Sequence, residues 1–171
     1  MDNKQGENIT EKDFRDDGSG YGTHLELLKI IFRAFEIKSV VEFGMGNFST
    51  LYFLFKGCSV MSIEMQDKEW YYRMKEKIDS PIWAPLYIQS PGDIYHINYP
   101  ERIDFAFIDG HQDNRPECIN LMFGLAPLIA AHDYEYSGYG WERIERPPGY
   151  RQLIFSNNGL KTILFASKLV L

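Results

Sequence analysis

Three short blocks of the chain bring together residue types that can bind and act on a small ligand. The first is Val40-Val41-Glu42-Phe43-Gly44-Met45-Gly46-Asn47-Phe48-Ser49-Thr50. Two glycines one residue apart let a chain turn tightly from strand into helix and let a ligand approach the backbone. A helix starting near Ser49 would aim its free N–H groups and positive dipole end at that ligand. Gly-x-Gly alone also suits a plain strand-to-helix turn, but Glu64 follows Gly44 by 20 residues at the end of the next strand. There an acidic residue can accept both hydroxyls of a ribose, so the spacing suits a nucleoside-containing ligand.

The second block, Asp104-Phe105-Ala106-Phe107-Ile108-Asp109-Gly110-His111, places an Asp at the carboxyl end of a strand, followed by Gly and His. The third, Ala131-His132-Asp133-Tyr134-Glu135, follows the next strand. If the two strands are neighbours, Asp109, His111, Asp133 and Glu135 converge on the crevice at which ligands of such sheets bind. His111 is the candidate general base, since an unperturbed His titrates near pH 6.5; its alternative is a loop residue capping the following helix. His132 reads as orienting a loop, and His24 and His96 as incidental. Tyr134, Tyr136, Tyr139 and Trp141 either wall an apolar pocket or pack on the sheet edge. Arg143, Arg146 and Arg151, interleaved with Glu142 and Glu145, read as a solvated loop.

The elements that must position these residues follow from periodicity. Thr23-His24-Leu25-Glu26 matches a capping box, and Leu28, Ile31, Phe32 and Phe35 continue on one helical face, predicting a helix over 23–36. Apolar strand-like runs follow at 39–43, 59–63, 86–88, 103–108 and 128–131, with helical patterns at 48–56, 67–78 and 115–126. That alternation implies a parallel sheet with helices on both faces. The rhythm then breaks: runs at 152–156 and 161–167 are joined across Asn157-Asn158-Gly159, a hairpin signal.

At 171 residues the chain is expected to be one domain with a core that needs no disulfide or structural metal. Cys58 and Cys118 lie in no metal-ligand pattern and read as small buried hydrophobes. The net charge of −6 argues against a phosphate-tracking nucleic-acid binder. Residues 1–17 hold six acids against three bases, so half of that charge lies in what reads as a flexible acidic arm, 1–22, ahead of a domain at 23–171. The absence of a leader-like or long apolar stretch leads to an expected cytoplasmic location without membrane contact.

Dinucleotide- and S-adenosylmethionine-binding proteins share this layout. Ser49 stands where the third dinucleotide-fingerprint glycine would be, and Glu42 could meet a methionine ammonium but would face a pyrophosphate badly. The terminal hairpin is also foreign to the usual dinucleotide fold. Together the Gly44–Gly46 block, the Glu64 spacing, Phe-Ile-Asp-Gly-His and Ala-His-Asp-Tyr resemble a class I S-adenosylmethionine-dependent methyltransferase, in its small-molecule O-methyltransferase branch, over roughly residues 23–168. The resemblance implies a Rossmann-like α/β fold with a seven-stranded sheet of order 3-2-1-4-5-7-6, the last strand antiparallel. It implies that Glu42, Gly44, Gly46 and Ser49 surround the methionine moiety, that Glu64 holds the ribose, and that Met65 packs on the adenine with Gln89 and Ser90 near its edge. In metal-dependent members the positions of Asp109 and Asp133 ligate magnesium; the Asn that supplies the third ligand is replaced here by Tyr134, leaving Glu135 as the remaining oxygen donor.

The expected reaction is in-line methyl transfer to a small-molecule acceptor, at oxygen, assisted by a divalent cation or by a base drawn from His111, Asp109 and Asp133. The alternatives are a non-catalytic binding module or partner subunit that keeps the fold, and an NAD(P)-dependent oxidoreductase. No segment is left over for a separate lid, so water exclusion falls to the aromatic loop after Asp133, to the N-terminal arm, or to a second copy in a homo-oligomer.

Overall fold

The computed structural model describes residues 9–14 and 22–168. Apolar runs such as Val40, Val41 and Phe43, or Phe105 to Ile108, suit strands covered on both faces, and all seven of these residues are fully buried. The chain runs α1 (Leu25–Ala34), β1 (Ser39–Phe43), α2 (Ser49–Phe55), β2 (Ser59–Glu64), α3 (Lys68–Lys77), β3 (Trp83–Tyr87), β4 (Phe105–Ile108), α4 (Arg115–Met122), β5 (Leu128–Ala131), β6 (Tyr150–Asn157) and β7 (Leu160–Ser167). The sheet order is β3-β2-β1-β4-β5-β7-β6. Neighbours from β3 to β5 are parallel, and β7 is antiparallel to both β5 and β6. This is the expected Rossmann-like topology. On one face Leu28, Ile31, Phe53, Met74, Phe105 and Phe107 join α1, α2 and α3 to the sheet; on the other Ile63, Ile108, Ile119, Met122 and Phe165 join α4 to it.

Local differences from the sequence reading have physical reasons. The capping box at Thr23 does not form: His24 occupies the N-cap without a side-chain cap, and the Thr23 hydroxyl instead meets Nε2 of His132 at 2.9 Å. β3 forms at Trp83–Tyr87 rather than 86–88 and includes Pro85, which an edge strand tolerates because one of its sides makes no ladder. β4 begins only at Phe105, because Asp104 turns its carboxylate to the N–H groups of Lys38 and Ser39 at 2.8 and 3.0 Å. α4 stops at Met122, followed by Gly124 at φ +91°. The β6–β7 turn places Asn158 and Gly159 at φ 52° and 84°, the left-handed pair that a two-residue hairpin requires.

Within the segment read as an arm, Glu11–Phe14 form one 3-10 turn whose Phe14 is buried, its ring edge-on to Tyr52 at 5.5 Å. The rest of 1–21, apart from residues 9 and 10, lies outside the described residues. Cys58 and Cys118 are buried and free. No described helix is long and apolar enough to cross a membrane.

Candidate functional site

The carboxyl ends of β1, β2, β4 and β5 meet at one edge of the sheet, and the three blocks lie there. The crossing of the β1 and β4 loops explains two glycines. Gly44 has φ +87°, and a Cβ on it would lie 2.5 Å from the Asp109 carbonyl oxygen and from the Cα of Gly110. Gly110 is pressed less closely, its absent Cβ 3.1 Å from the Phe43 carbonyl carbon. Gly44 therefore serves a backbone-on-backbone contact. Gly46 is open: a Cβ there would meet nothing nearer than the Ser49 hydroxyl at 3.5 Å, which makes it the point of this loop where another molecule can approach.

Glu42 does not face the crevice. It is fully buried beneath the loop, and its carboxylate accepts from the hydroxyls of Ser49, of Thr50 at 2.6 Å and of Ser62 at 2.7 Å. Burial pushes its carboxyl up to about 7, with the three hydroxyls pulling the other way. Glu42 and the Ser49 hydroxyl are thus engaged with each other beneath the loop, because buried charge demands internal partners. The loop is also tied from α3, where the Trp70 indole N–H donates to the Met45 carbonyl at 2.8 Å.

Glu64 sits at the end of β2 with Oε1 accepting from the backbone N–H groups of Met65, Gln66 and Asp67 at 2.9, 2.7 and 3.3 Å. Burial raises its carboxyl, and those amides together with that of Met45 oppose the rise. Met65 follows, its sulfur accepting from the Asn114 side-chain amide at 2.9 Å. Gln89 and Ser90 are exposed, and the Ser90 hydroxyl caps the 3-10 turn Pro91–His96 in a capping box with Asp93.

At the β4 and β5 ends the structure assembles a different group. Arg115, at the start of α4, is almost fully buried and spans the two carboxylates, 3.1 Å from Asp109 Oδ1 and 3.2 Å from Asp133 Oδ2. It also donates to the carbonyls of Gly110 and His132 at 3.0 and 2.7 Å and lies 4.5 Å from the Tyr139 ring centroid. His132 Nδ1 stands 3.5 Å from Asp109 and 3.2 Å from Asp133. Burial would lower the His132 imidazole, but the hydrogen bond and charge of Asp109, with Asp133, raise it above its ordinary value. Asp109 is pushed up by burial, yet His132 and Arg115 hold it below the usual carboxylate range. Asp133 is raised, burial being the largest cause, and its backbone takes the left-handed φ of 58°. His24 lies against this group, its ring 4.9 Å from those of both Phe107 and His132, and burial drives its imidazole down to about 3.

Asp109 and Asp133 are therefore brought together as expected, while His111 and Glu135 are not part of the cluster. His111 accepts from the Asp113 N–H at 3.2 Å and caps the turn Gln112–Asn114. Glu135 accepts from the Lys161 N–H at 2.6 Å, on β7. The donor set does not fit magnesium: a guanidinium fills the gap between the two carboxylates, Tyr134 packs at a tilt against Trp141 at 5.3 Å, and Glu135 is turned to the Lys161 N–H. The aromatic loop closes over Arg115, with Arg143 fastening it through Glu117 at 2.6 Å and the Asp113 carbonyl at 3.0 Å.

Arg115, His132 and His24 escaped the sequence reading as site residues. One signal existed for Arg115: a cation in the first turn of a helix opposes the helix dipole, so it needs carboxylates close by.

No family model matches the sequence, and no curated protein matches it. Solved structures do resemble the fold. An O-methyltransferase of Bacillus cereus in complex with SAH superposes with a TM-score of 0.64 at 17% identity, over 85% of this chain and 80% of that one. The O-methyltransferase TomG of Streptomyces achromogenes, involved in tomaymycin synthesis and solved with SAM, gives 0.62 at 14% identity over 85% and 79%. An SAH-bound methyltransferase of Podospora anserina gives 0.67 at 12% identity over 97% and 91%. At these identities the likeness establishes a shared fold.

Proposed function

We propose that the chain binds S-adenosylmethionine across the carboxyl ends of β1, β2 and β4 and transfers its methyl group to a small-molecule acceptor, at oxygen. The observation that carries this reading is Glu64, a carboxylate fixed by backbone amides at the end of β2 beside the open Gly46 turn, in a sheet whose order is shared with proteins solved with SAM or SAH. Glu64 would take the ribose hydroxyls, Met65 the adenine face and Gln89 its edge, and the methionine moiety would pass Gly46. Glu42 and Ser49 act from beneath by holding the loop, and Gly44 by letting it cross Gly110.

When bound, the cofactor supplies a methyl carbon on a sulfonium sulfur, and the new C–O bond forms as the C–S bond breaks. The residues of the β4–β5 cluster then have two tasks. Asp133, raised by burial and with a side chain about one-fifth exposed, takes the proton the acceptor oxygen loses. Arg115 and His132 hold Asp133 in place, and the Tyr134–Trp141 loop walls the acceptor from water.

Calorimetry with S-adenosylhomocysteine tests the reading. We expect one site per chain and a loss of about 30-fold in affinity for Glu64→Ala, the worth of hydrogen bonds to a charged group. No heat of binding at millimolar cofactor overturns it. A second reading is favoured by one observation: both carboxylates of the cluster are already engaged by Arg115 and His132. A non-catalytic module of the same fold would bind cofactor yet never convert it to S-adenosylhomocysteine, even slowly, with any acceptor.

A further inference from the structure

We propose that His24, His132 and Asp109 form a binding site for a divalent transition metal of the zinc, cobalt or nickel kind. One donor atom from each of the three lies within 4.8 Å of those of the other two, although the residues come from the start of α1 and the ends of β4 and β5. Zinc bonds to imidazole nitrogen are about 2.0–2.1 Å long, which puts neighbouring ligand atoms a little over 3 Å apart. The widest separation therefore needs to contract by up to roughly 1.5 Å, within reach of side-chain rotation.

The observation that points to a missing partner is His24. It is 2% exposed, and neither of its ring nitrogens has a hydrogen-bond partner among the described residues. A buried polar group left unpaired costs about 1–3 kcal/mol, so a ring held with both nitrogens bare is a poor structural choice unless something binds there. Its ring packs against those of Phe107 and His132, beside the other two donors.

His132 is arranged as metal-bound histidines are, with its second nitrogen held by another group. The Thr23 hydroxyl meets Nε2 at 2.9 Å, and Nδ1, which lies 3.5 Å from Asp109 Oδ1 and 3.2 Å from Asp133 Oδ1, would take the ion in place of its proton. Asp109, about one-quarter exposed, supplies the oxygen and the way in. Two imidazoles and one carboxylate suit a borderline transition ion and not magnesium, which prefers an all-oxygen shell. The site shares Asp109 with the pair that Arg115 closes, Arg115 lying 3.1 Å from the same Oδ1, so the ion must take that carboxylate beside a guanidinium. Three protein ligands leave a fourth position open.

The test uses the full chain stripped with a chelator, without S-adenosylmethionine, so that its result is independent of the cofactor reading. We expect calorimetry to show one zinc per chain at micromolar or tighter affinity, unaffected by excess magnesium, and cobalt to give visible d–d bands that zinc abolishes. His24→Phe, which keeps a buried ring, should weaken zinc by more than about 100-fold, and Thr23→Val by about 10-fold, the usual cost of losing the group that orients a ligand. Circular dichroism and thermal unfolding report whether each variant folds. If His24→Phe does not fold, copper bound to the wild-type chain answers instead, since its paramagnetic resonance spectrum must show coupling to imidazole nitrogen. No stoichiometric zinc, zinc affinity equal in a folded His24→Phe, or copper without nitrogen coupling each overturns the proposal.

Discussion

At the β1–β2 end of the crevice buried acids are held by neutral donors, whereas at the β4–β5 end they are held by cations. Glu42 rests on three hydroxyls, and Glu64 on a row of backbone amides. Asp109 and Asp133 rest on Arg115 and His132. Both arrangements satisfy the rule that buried charge needs partners, with opposite results for the proton. Hydroxyls do not outweigh desolvation, so Glu42 is raised to about 7; at Asp109 the cations do, so it is lowered, whereas at Asp133 burial still prevails and the carboxyl is raised. The first end is a frame beneath a loop that favours the uncharged form of Glu42. The second is a matched set of charges in which removing any member unbalances the rest.

The largest test of that contrast is Arg115→Met. It leaves two neighbouring carboxylates without their shared cation and two carbonyls without their donor. Breaking a buried ion pair from one side costs about 3–5 kcal/mol, readable by urea denaturation. Arg115→Lys should recover only a minor part, because one ammonium cannot span both carboxylates and both carbonyls. A loss below about 1 kcal/mol for Arg115→Met would mean the cluster tolerates unpaired charge, outside the range for such pairs.

Glu42 provides the next effect, through pH. Its carboxyl lies at about 7 in the folded protein against an ordinary 4.5, so between those values the folded chain holds a proton that the unfolded chain has released. Stability from this group is fully present below 4.5 and declines as pH rises through about 7, by roughly 3 kcal/mol over the whole window. Glu42→Gln keeps the shape and removes the titration, so unfolding free energies of wild type and variant should diverge as pH rises through that window. A gap that stays constant with pH would show that the hydroxyls keep Glu42 ionised throughout.

The same contrast decides what was legible in the sequence. The β1–β2 end is built from near neighbours: Ser49 and Thr50 lie seven and eight residues after Glu42, and the amides holding Glu64 are the next three. Its motif therefore reads as a block, and so does the Asn158-Gly159 hairpin, while the strand order follows only from the family resemblance that the blocks carry. What could not be read was that Glu42 and Ser49 consume each other. The β4–β5 end depends on distant partners. Thr23 reaches His132 across 109 positions, so a residue that matches a capping box locally is claimed by a tertiary contact, and His24 beside it looks incidental until the fold buries it. His111 has the chemistry of a base in the right block, but its Nδ1 accepts from the turn that follows it.

The smallest expected effect concerns the aromatic cover of the charged end. Tyr139 places its ring 4.5 Å from the Arg115 guanidinium and lies edge-on to Trp141 at 5.7 Å. A cation against a ring is worth about 0.5–1 kcal/mol at an exposed site and about 2 when desolvated; Tyr139 is half-covered, so about 1 kcal/mol is expected for Tyr139→Leu. Tyr139→Phe should cost almost nothing, since the ring rather than the hydroxyl faces the guanidinium. The decisive measurement is the double-mutant cycle. If the ring acts through Arg115, Tyr139→Leu loses most of its effect in an Arg115→Met background, giving a coupling of about 1 kcal/mol. An additive pair would mean that the loop holds itself down through Arg143 and Glu117 alone, and that the charged end needs no cover to stay in place.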